Sequence, residues 1–223
     1  MTDEALAHLR RADPVMRQII RRCGGVRLVP RRRRPPFESL ARAIANQQLN
    51  GTAAQPILGR FIALFPGRKF PAPEDLAAVS DVALRACGFS FAKIAALRDL
   101  AAKVGAGVVP PGRTLARLPD EEIITRLTEV RGIGRWTVEM LLIFQLGRPD
   151  VLPADDFGVR NGCRLAYGLA ELPKPKELLA LGERWRPHRT AAAWYLWRAT
   201  EMEWPAPGVP KKGRRRGSQP GGI

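Results

Sequence analysis

Cysteine and histidine are almost missing from this 223-residue chain, three of the one and two of the other. Cys23, Cys87 and Cys163 are odd in number and widely spaced, which argues against a disulfide framework and against a CxxC metal pair. They read as reduced, mostly buried thiols. His8 and His188 show no ligand spacing, so no metal is expected in the chemistry. There is no run of about 18 apolar residues, and the N-terminus opens on Asp3 and Glu4 where an export signal would place cations before an apolar stretch. Neither membrane insertion nor export is expected, which points to a cytoplasmic protein. Period-two alternation and internal repeats are also missing. Acidic residues are in short supply, 21 against 37 Lys and Arg, for a net charge of +16 and a pI near 11.1.

So large a cationic excess usually meets a polyanion, and nucleic acid is the first candidate partner. Arg31 to Arg34 carries four of these charges and Lys211 to Arg216 five, leaving seven of the sixteen on the rest. The basic runs alone could be merely solvated. The basic body is harder to explain that way.

What is present is helical periodicity. Ile123, Ile124, Leu127 and Val130 fall on one face, as do Ile94, Leu97, Leu100 and Val104. Ser90 is placed to cap the second of these segments, and Asp120, Glu121 and Glu122 put acceptors and negative charge at the start of the first. Gly147 and Pro149 end the helix that follows. Gly- and Pro-rich stretches at 66–73, 105–112 and 172–175 read as connectors. The chain is therefore expected to be all-α, with about eight to ten helices of ordinary length, as two helical lobes over residues 1–204 with a groove between them. Residues 205–223, rich in Pro, Gly and Arg, are expected to form a disordered basic tail.

The segment Leu127 to Leu142, LTEVRGIGRWTVEMLL, joins two helices through Arg131-Gly132-Ile133-Gly134. Both glycines are expected to adopt conformations closed to other residues and to let a phosphate approach the N–H groups of the second helix. Read alone, a GxG turn serves equally well as a compact connection between helices. About twenty residues on, LPADDFGVR brings Asp155 and Asp156 to another helix start. One carboxylate suffices as an N-cap there. Two exceed that need.

Hairpin and aspartate pair together resemble the helix-hairpin-helix base-excision DNA glycosylases, and the likeness runs from about Phe37 to Trp204. The family likeness implies that Asp156 is catalytic and that Asp155 caps or supports it. Gly132, Ile133, Gly134, Arg135 and Thr137 would contact DNA, and the carbonyls of Thr128, Val130 and Ile133 would hold a monovalent Na or K ion bridging to a phosphate. Within the family the alkylation-repair branch, 3-methyladenine DNA glycosylase II, is the most similar. Trp136 stands where strand-cleaving relatives carry a lysine, and the four-cysteine iron–sulfur cluster of other members is missing. IANQQLNGTAA (Ile44 to Ala54) resembles that branch's minor-groove helix. Gln48 would be the wedge, Gln47 would lie near the sugar, and Asn50 would read the groove. Trp136, Met140 and Trp197 would wall a pocket for an electron-poor purine, since indoles favour a cationic base. The resemblance implies a monomer, active on duplex DNA with alkylated bases and associated with the nucleoid, leaving an abasic site in an intact strand. Larger members carry an additional N-terminal mixed domain. This chain resembles the compact subgroup, for which a narrower or shifted substrate range is expected. A non-catalytic DNA-binding repair module is the competing reading, and it needs the hairpin but neither the aspartates nor the tryptophans.

Overall fold

The computed structural model describes residues 2–25, 28–30, 34–48 and 51–204, with the side chains of 51–53 excepted. Asn50, Arg31 to Arg33 and the basic tail lie outside them. Every described element is helical. The N-terminal helices are α1 (Asp3–Ala12), α2 (Pro14–Cys23), α3 (Pro36–Asn46) and α4 (Gly51–Ala63); α5 (Asp81–Ala86), α6 (Phe91–Gly105), α7 (Gly112–Leu115) and α8 (Asp120–Thr128) follow. The chain closes with α9 (Arg135–Leu141), α10 (Phe157–Tyr167), α11 (Pro175–Gly182) and α12 (Arg189–Ala199). A π turn, Leu142–Leu146, prolongs α9, and 3-10 turns span Pro73–Ala78 and Glu183–Trp185. Twelve described α-helices exceed the eight to ten expected because several are short: α7 has four residues and α5 six. None is long and apolar enough to cross a membrane.

The elements sort into two cores. Phe37, Phe61, Phe89, Leu97, Leu127 and Val138 belong to one, built from α3 to α9, in which Phe61 meets Phe65, Phe70 and Phe89 edge to face. Leu9, Ile19, Val159, Trp185 and Tyr195 belong to the other, built from α1, α2 and the last three helices. Trp197 packs against both. The first two helices thus complete the C-terminal core. Asp13, 1% exposed, caps α2 by accepting from the N–H of Val15 and Met16, and its second oxygen accepts from Tyr167 Oη and Trp185 Nε1. Four donors offset the cost of burying that carboxylate.

Local signals hold in part. Ser90 caps α6 through the Lys93 N–H, and Gly147, at φ 70°, ends the π turn in the left-handed region. At α8 the three acidic residues stand in the first turn, as expected, though none of them is the N-cap. That position is Pro119, with no side-chain bond, and Asp120 is the first helical residue, its carboxylate 3.0 Å from Arg148 Nε. α10 and α12 cross at Gly162, where a Cβ would stand 1.8 Å from the Leu196 carbonyl oxygen. No residue with a side chain fits there.

Candidate active site

The hairpin forms as a turn between α8 and α9. Gly132, at φ +77°, needs the left-handed region that glycine alone enters cheaply. Gly134 does not, which corrects the reading that both glycines are conformationally required. It is the N-cap of α9 at φ −94°, ψ 168°, an ordinary extended conformation, and its missing Cβ leaves open space before the helix start. The Arg131 N–H donates to Asp99 Oδ2 at 2.7 Å, anchoring the turn to α6, and Ile133 is buried beneath it at 4% exposure. Arg135 is not a loose cation. Its guanidinium grips Glu121 at 3.0 and 2.6 Å and Glu139 at 3.1 Å, tying α9 to α8. Glu139 is itself buried, and burial pushes its carboxyl up to about 6 against the opposing pull of Arg135.

The amide-rich segment is not the single helix that the sequence suggests. α3 ends at Asn46, Gln47 and Gln48 form a turn, and α4 begins at Gly51. Gln48 sits at φ 58°, the one described non-glycine residue with positive φ, and its side chain is exposed. A non-glycine residue there is strained. The helix has already ended at Gln47, whose ψ of 135° leaves the α region, and Gln48 follows it exposed. Gln47 faces the hairpin instead, donating from Nε2 to the Gly132 carbonyl at 2.7 Å.

Asp156 is where three donors converge. It is the N-cap of α10, its Oδ1 accepting from the Val159 N–H at 2.8 Å. That corrects the assignment of capping to Asp155, which is exposed one position too early. The same oxygen accepts from Trp197 Nε1 at 2.8 Å, and Oδ2 accepts from Trp136 Nε1 at 2.7 Å. Trp136 is 47% exposed, so Oδ2 is the oxygen that a reacting group can reach by moving one indole.

Beside this carboxylate lies an open cavity of about 1080 Å³ between α3, the hairpin, α9 and its π turn. Gln47, Gln48, Gly132, Gly134, Trp136, Thr137 and Met140 all line it. Ile133, Arg135, Asp155, Asp156 and Trp197 do not; Asp156 and Trp197 reach it through Trp136 and through Phe144, on which Trp197 stacks with ring centroids 5.7 Å apart. Phe144, Gln145 and Gly158 escaped the sequence reading. Phe144 was findable, since Trp136, Met140 and Phe144 stand four apart. Gly158 was not: a Cβ there would meet Trp197 Cδ1 at 2.8 Å and Asp156 Oδ1 at 3.1 Å, a demand visible only in three dimensions.

No cluster of three or more His, Cys, Asp or Glu residues suited to a metal occurs among the described residues. The hairpin carbonyls are a different kind of donor set. Thr128 ends α8, so its carbonyl is one of the last four that have no partner within the helix. The Val130 carbonyl accepts only the Ile133 N–H, at 3.0 Å, among the bonds of the turn. Uncharged oxygens of this kind suit a weakly held monovalent ion.

The family model of the HhH-GPD superfamily of base-excision DNA repair proteins matches residues 41–187. The chain is similar to DNA-3-methyladenine glycosylase 1 of Schizosaccharomyces pombe, 42% identical over 213 residues, covering 94% of this chain and 92% of that one. Among solved structures, the S. pombe enzyme in complex with abasic DNA superposes with a TM-score of 0.79, covering 89% of this chain and 97% of that one. DNA-3-methyladenine glycosidase of Bacillus halodurans, 36% identical, gives the same TM-score over 87% of this chain and 88% of its own.

Proposed function

The chain belongs to the HhH-GPD superfamily of base-excision DNA repair proteins, and from that premise we propose that it is a DNA glycosylase releasing alkylated purines such as 3-methyladenine from duplex DNA. The observation that carries this reading is Asp156, held by two indoles at the edge of an aromatic cavity directly beside the hairpin. A base cannot be cut out while stacked, so the nucleotide must leave the duplex and something must fill the gap. Gln48, exposed and turned outward at the cavity rim, is the filler. Gln47, bound to Gly132, sets the distance between that filler and the hairpin. The N–H groups at the start of α9 lack intrahelical acceptors and face a phosphate well. The carbonyls of Thr128, Val130 and Ile133 would hold a monovalent cation whose charge adds to that attraction.

Trp136, Met140 and Phe144 receive the base, and aromatic faces favour one that alkylation has made cationic. Such a base departs neutral, so no strong acid is required. The sugar, which becomes an oxocarbenium, is the group that needs help. Asp156 Oδ2, released by Trp136, stabilises the developing charge and orients the water that completes hydrolysis. With Trp136 in the place of an attacking lysine, the reaction stops at an abasic site in an intact strand, without any redox cofactor. The enzyme works as a monomer on nucleoid DNA.

The test is release of methylated bases from alkylated duplex DNA by the wild-type chain and by Asp156→Asn. Release by the wild type and its near loss in the variant are expected. If the wild type binds the DNA and releases no base, the non-catalytic module is the correct reading.

A further inference from the structure

Gln145 lies in the π turn and is 5% exposed, yet it lines the cavity that receives the base. Its Nε2 donates to the Arg34 carbonyl at 2.6 Å. A backbone carbonyl can only accept, so this bond fixes which end of the carboxamide points where. Oε1 is thereby aimed away from Arg34, and it is a buried side-chain oxygen without any hydrogen-bond partner. Ser39 and Thr137 also line this cavity, and neither hydroxyl donates to Oε1. Buried acceptors are almost always satisfied, and one left without a partner on a residue that lines a binding cavity is placed to take a donor that the ligand brings. π turns in helices recur at functional sites for the same reason: they misalign a side chain with the helix's own pattern of contacts.

We propose that Gln145 is a specificity-determining residue whose Oε1 accepts a hydrogen bond from the exocyclic amino group of the extruded purine. The proposal rests on the glycosylase reading above and adds to it the class of base preferred. Alkylated adenine and guanine carry an amino group on the ring edge. Hypoxanthine puts a lactam oxygen where adenine has that amino group, setting acceptor against acceptor. Ethenoadenine has its exocyclic nitrogen closed into a ring with no N–H to give. Sites built to pair with a substrate N–H reject analogues lacking it far more strongly than apolar pockets reject a change of shape.

The experiment uses the full chain and two matched pairs of duplex oligonucleotides. One pair carries 7-methyladenine or 7-methylhypoxanthine, the other 7-methylguanine or 7-methylhypoxanthine. Both pairs keep the 7-methyl group; the guanine pair deletes the amino group and the adenine pair replaces it by a lactam oxygen. The wild type should favour the amino-bearing member of at least one pair by about tenfold in single-turnover rate, the size of one net hydrogen bond. Gln145→Met, close in shape and without the acceptor, should abolish that preference by slowing the amino-bearing substrate and, in the adenine pair, by relieving the opposition to the lactam oxygen. Because it removes an unpaired buried oxygen, its melting temperature should not fall by more than the loss of the Arg34 contact accounts for. No preference in the wild type for either pair, or a preference that survives in Gln145→Met, overturns the proposal. Absence of release from every methylated duplex would instead overturn the glycosylase reading on which it rests.

Discussion

Asp156 serves two masters, and its substitution must be read with both in view. In Asp156→Asn the amide oxygen can keep the Val159 cap and the Trp197 contact, since Asn caps helices about as well as Asp. The amide nitrogen then faces Trp136 Nε1, donor against donor, so the exposed indole is released. Excision should fall by about 10² to 10³, the scale of one lost electrostatic group, with DNA binding preserved and a change in tryptophan fluorescence that reports the freed Trp136. Asp155→Asn, away from all three donors, should leave release rates within about twofold of wild type, as surface changes usually do. Glu139 gives a prediction of another kind. Its folded carboxyl is raised to about 6 from 4.5, so the native state binds a proton more readily than the unfolded chain does. Stability from this group is therefore full below the unfolded value and declines as pH climbs from 4.5 to 6, by about 2 kcal/mol in total. Glu139→Gln should flatten that portion of the stability curve, as urea unfolding across pH 4 to 7 would reveal. An unchanged slope would show that the Arg135 pair outweighs burial.

Among the elements, the crossing of α10 and α12 decides where the chemistry sits, because α10 carries Asp156 at its start and α12 carries Trp197. Two glycines on α10 set that crossing, and they predict different failures. Gly162→Ala would drive a Cβ into the Leu196 backbone, which no rotamer change can relieve, and should cost about 3 kcal/mol or more of stability. Gly158→Ala meets side-chain atoms alone, the edge of the Trp197 indole and Asp156 Oδ1. It should fold nearly as stably as wild type yet push Trp197 off Asp156, slowing excision by about 10 to 100-fold, as ångström-scale misplacement does. A thermal melt beside a base-release assay separates the two. These demands explain what the sequence could and could not reveal. Helix faces such as Ile94, Leu97 and Leu100 are local periodicities, and the turn at Gly132 announces itself by composition. Which aspartate caps α10 depends on one residue of register, and the break after Asn46 is a turn through Gln47 and Gln48 that neither side chain advertises. Gln145 looks like an ordinary residue of an apolar segment until the π turn places it beside the cavity. Contacts between residues far apart in sequence, such as Asp156 with Trp197 or Gln47 with Gly132, leave no local trace at all.

For the whole molecule the governing quantity is charge, and counting cations overstates it. Many in the body are already spent on carboxylates: Arg98 on Asp81, Arg126 on Glu122, Arg135 on Glu121 and Arg189 on Asp150. Such pairs contribute little to attracting a polyanion beyond a Debye length. Phosphate contact must then come from the remaining body cations, the hairpin amides and the basic tail. Binding to undamaged duplex should fall with salt at about 0.9 in log K per phosphate neutralised, so that some five contacts lose about 500-fold between 50 and 200 mM NaCl. Removing the residues after Pro205 deletes the five cations of Lys211 to Arg216 and should shallow that slope and weaken undamaged DNA. The ratio of affinities for alkylated and normal duplex should stay the same, because the described groups proposed to discriminate, Trp136, Met140 and Phe144, line the cavity. Fluorescence anisotropy titrations at four salt concentrations, on both forms of the chain and both duplexes, measure slope and ratio together. A truncated chain with the wild-type slope would place all phosphate contacts on the folded body, and one with an altered ratio would mean that the tail takes part in recognising damage.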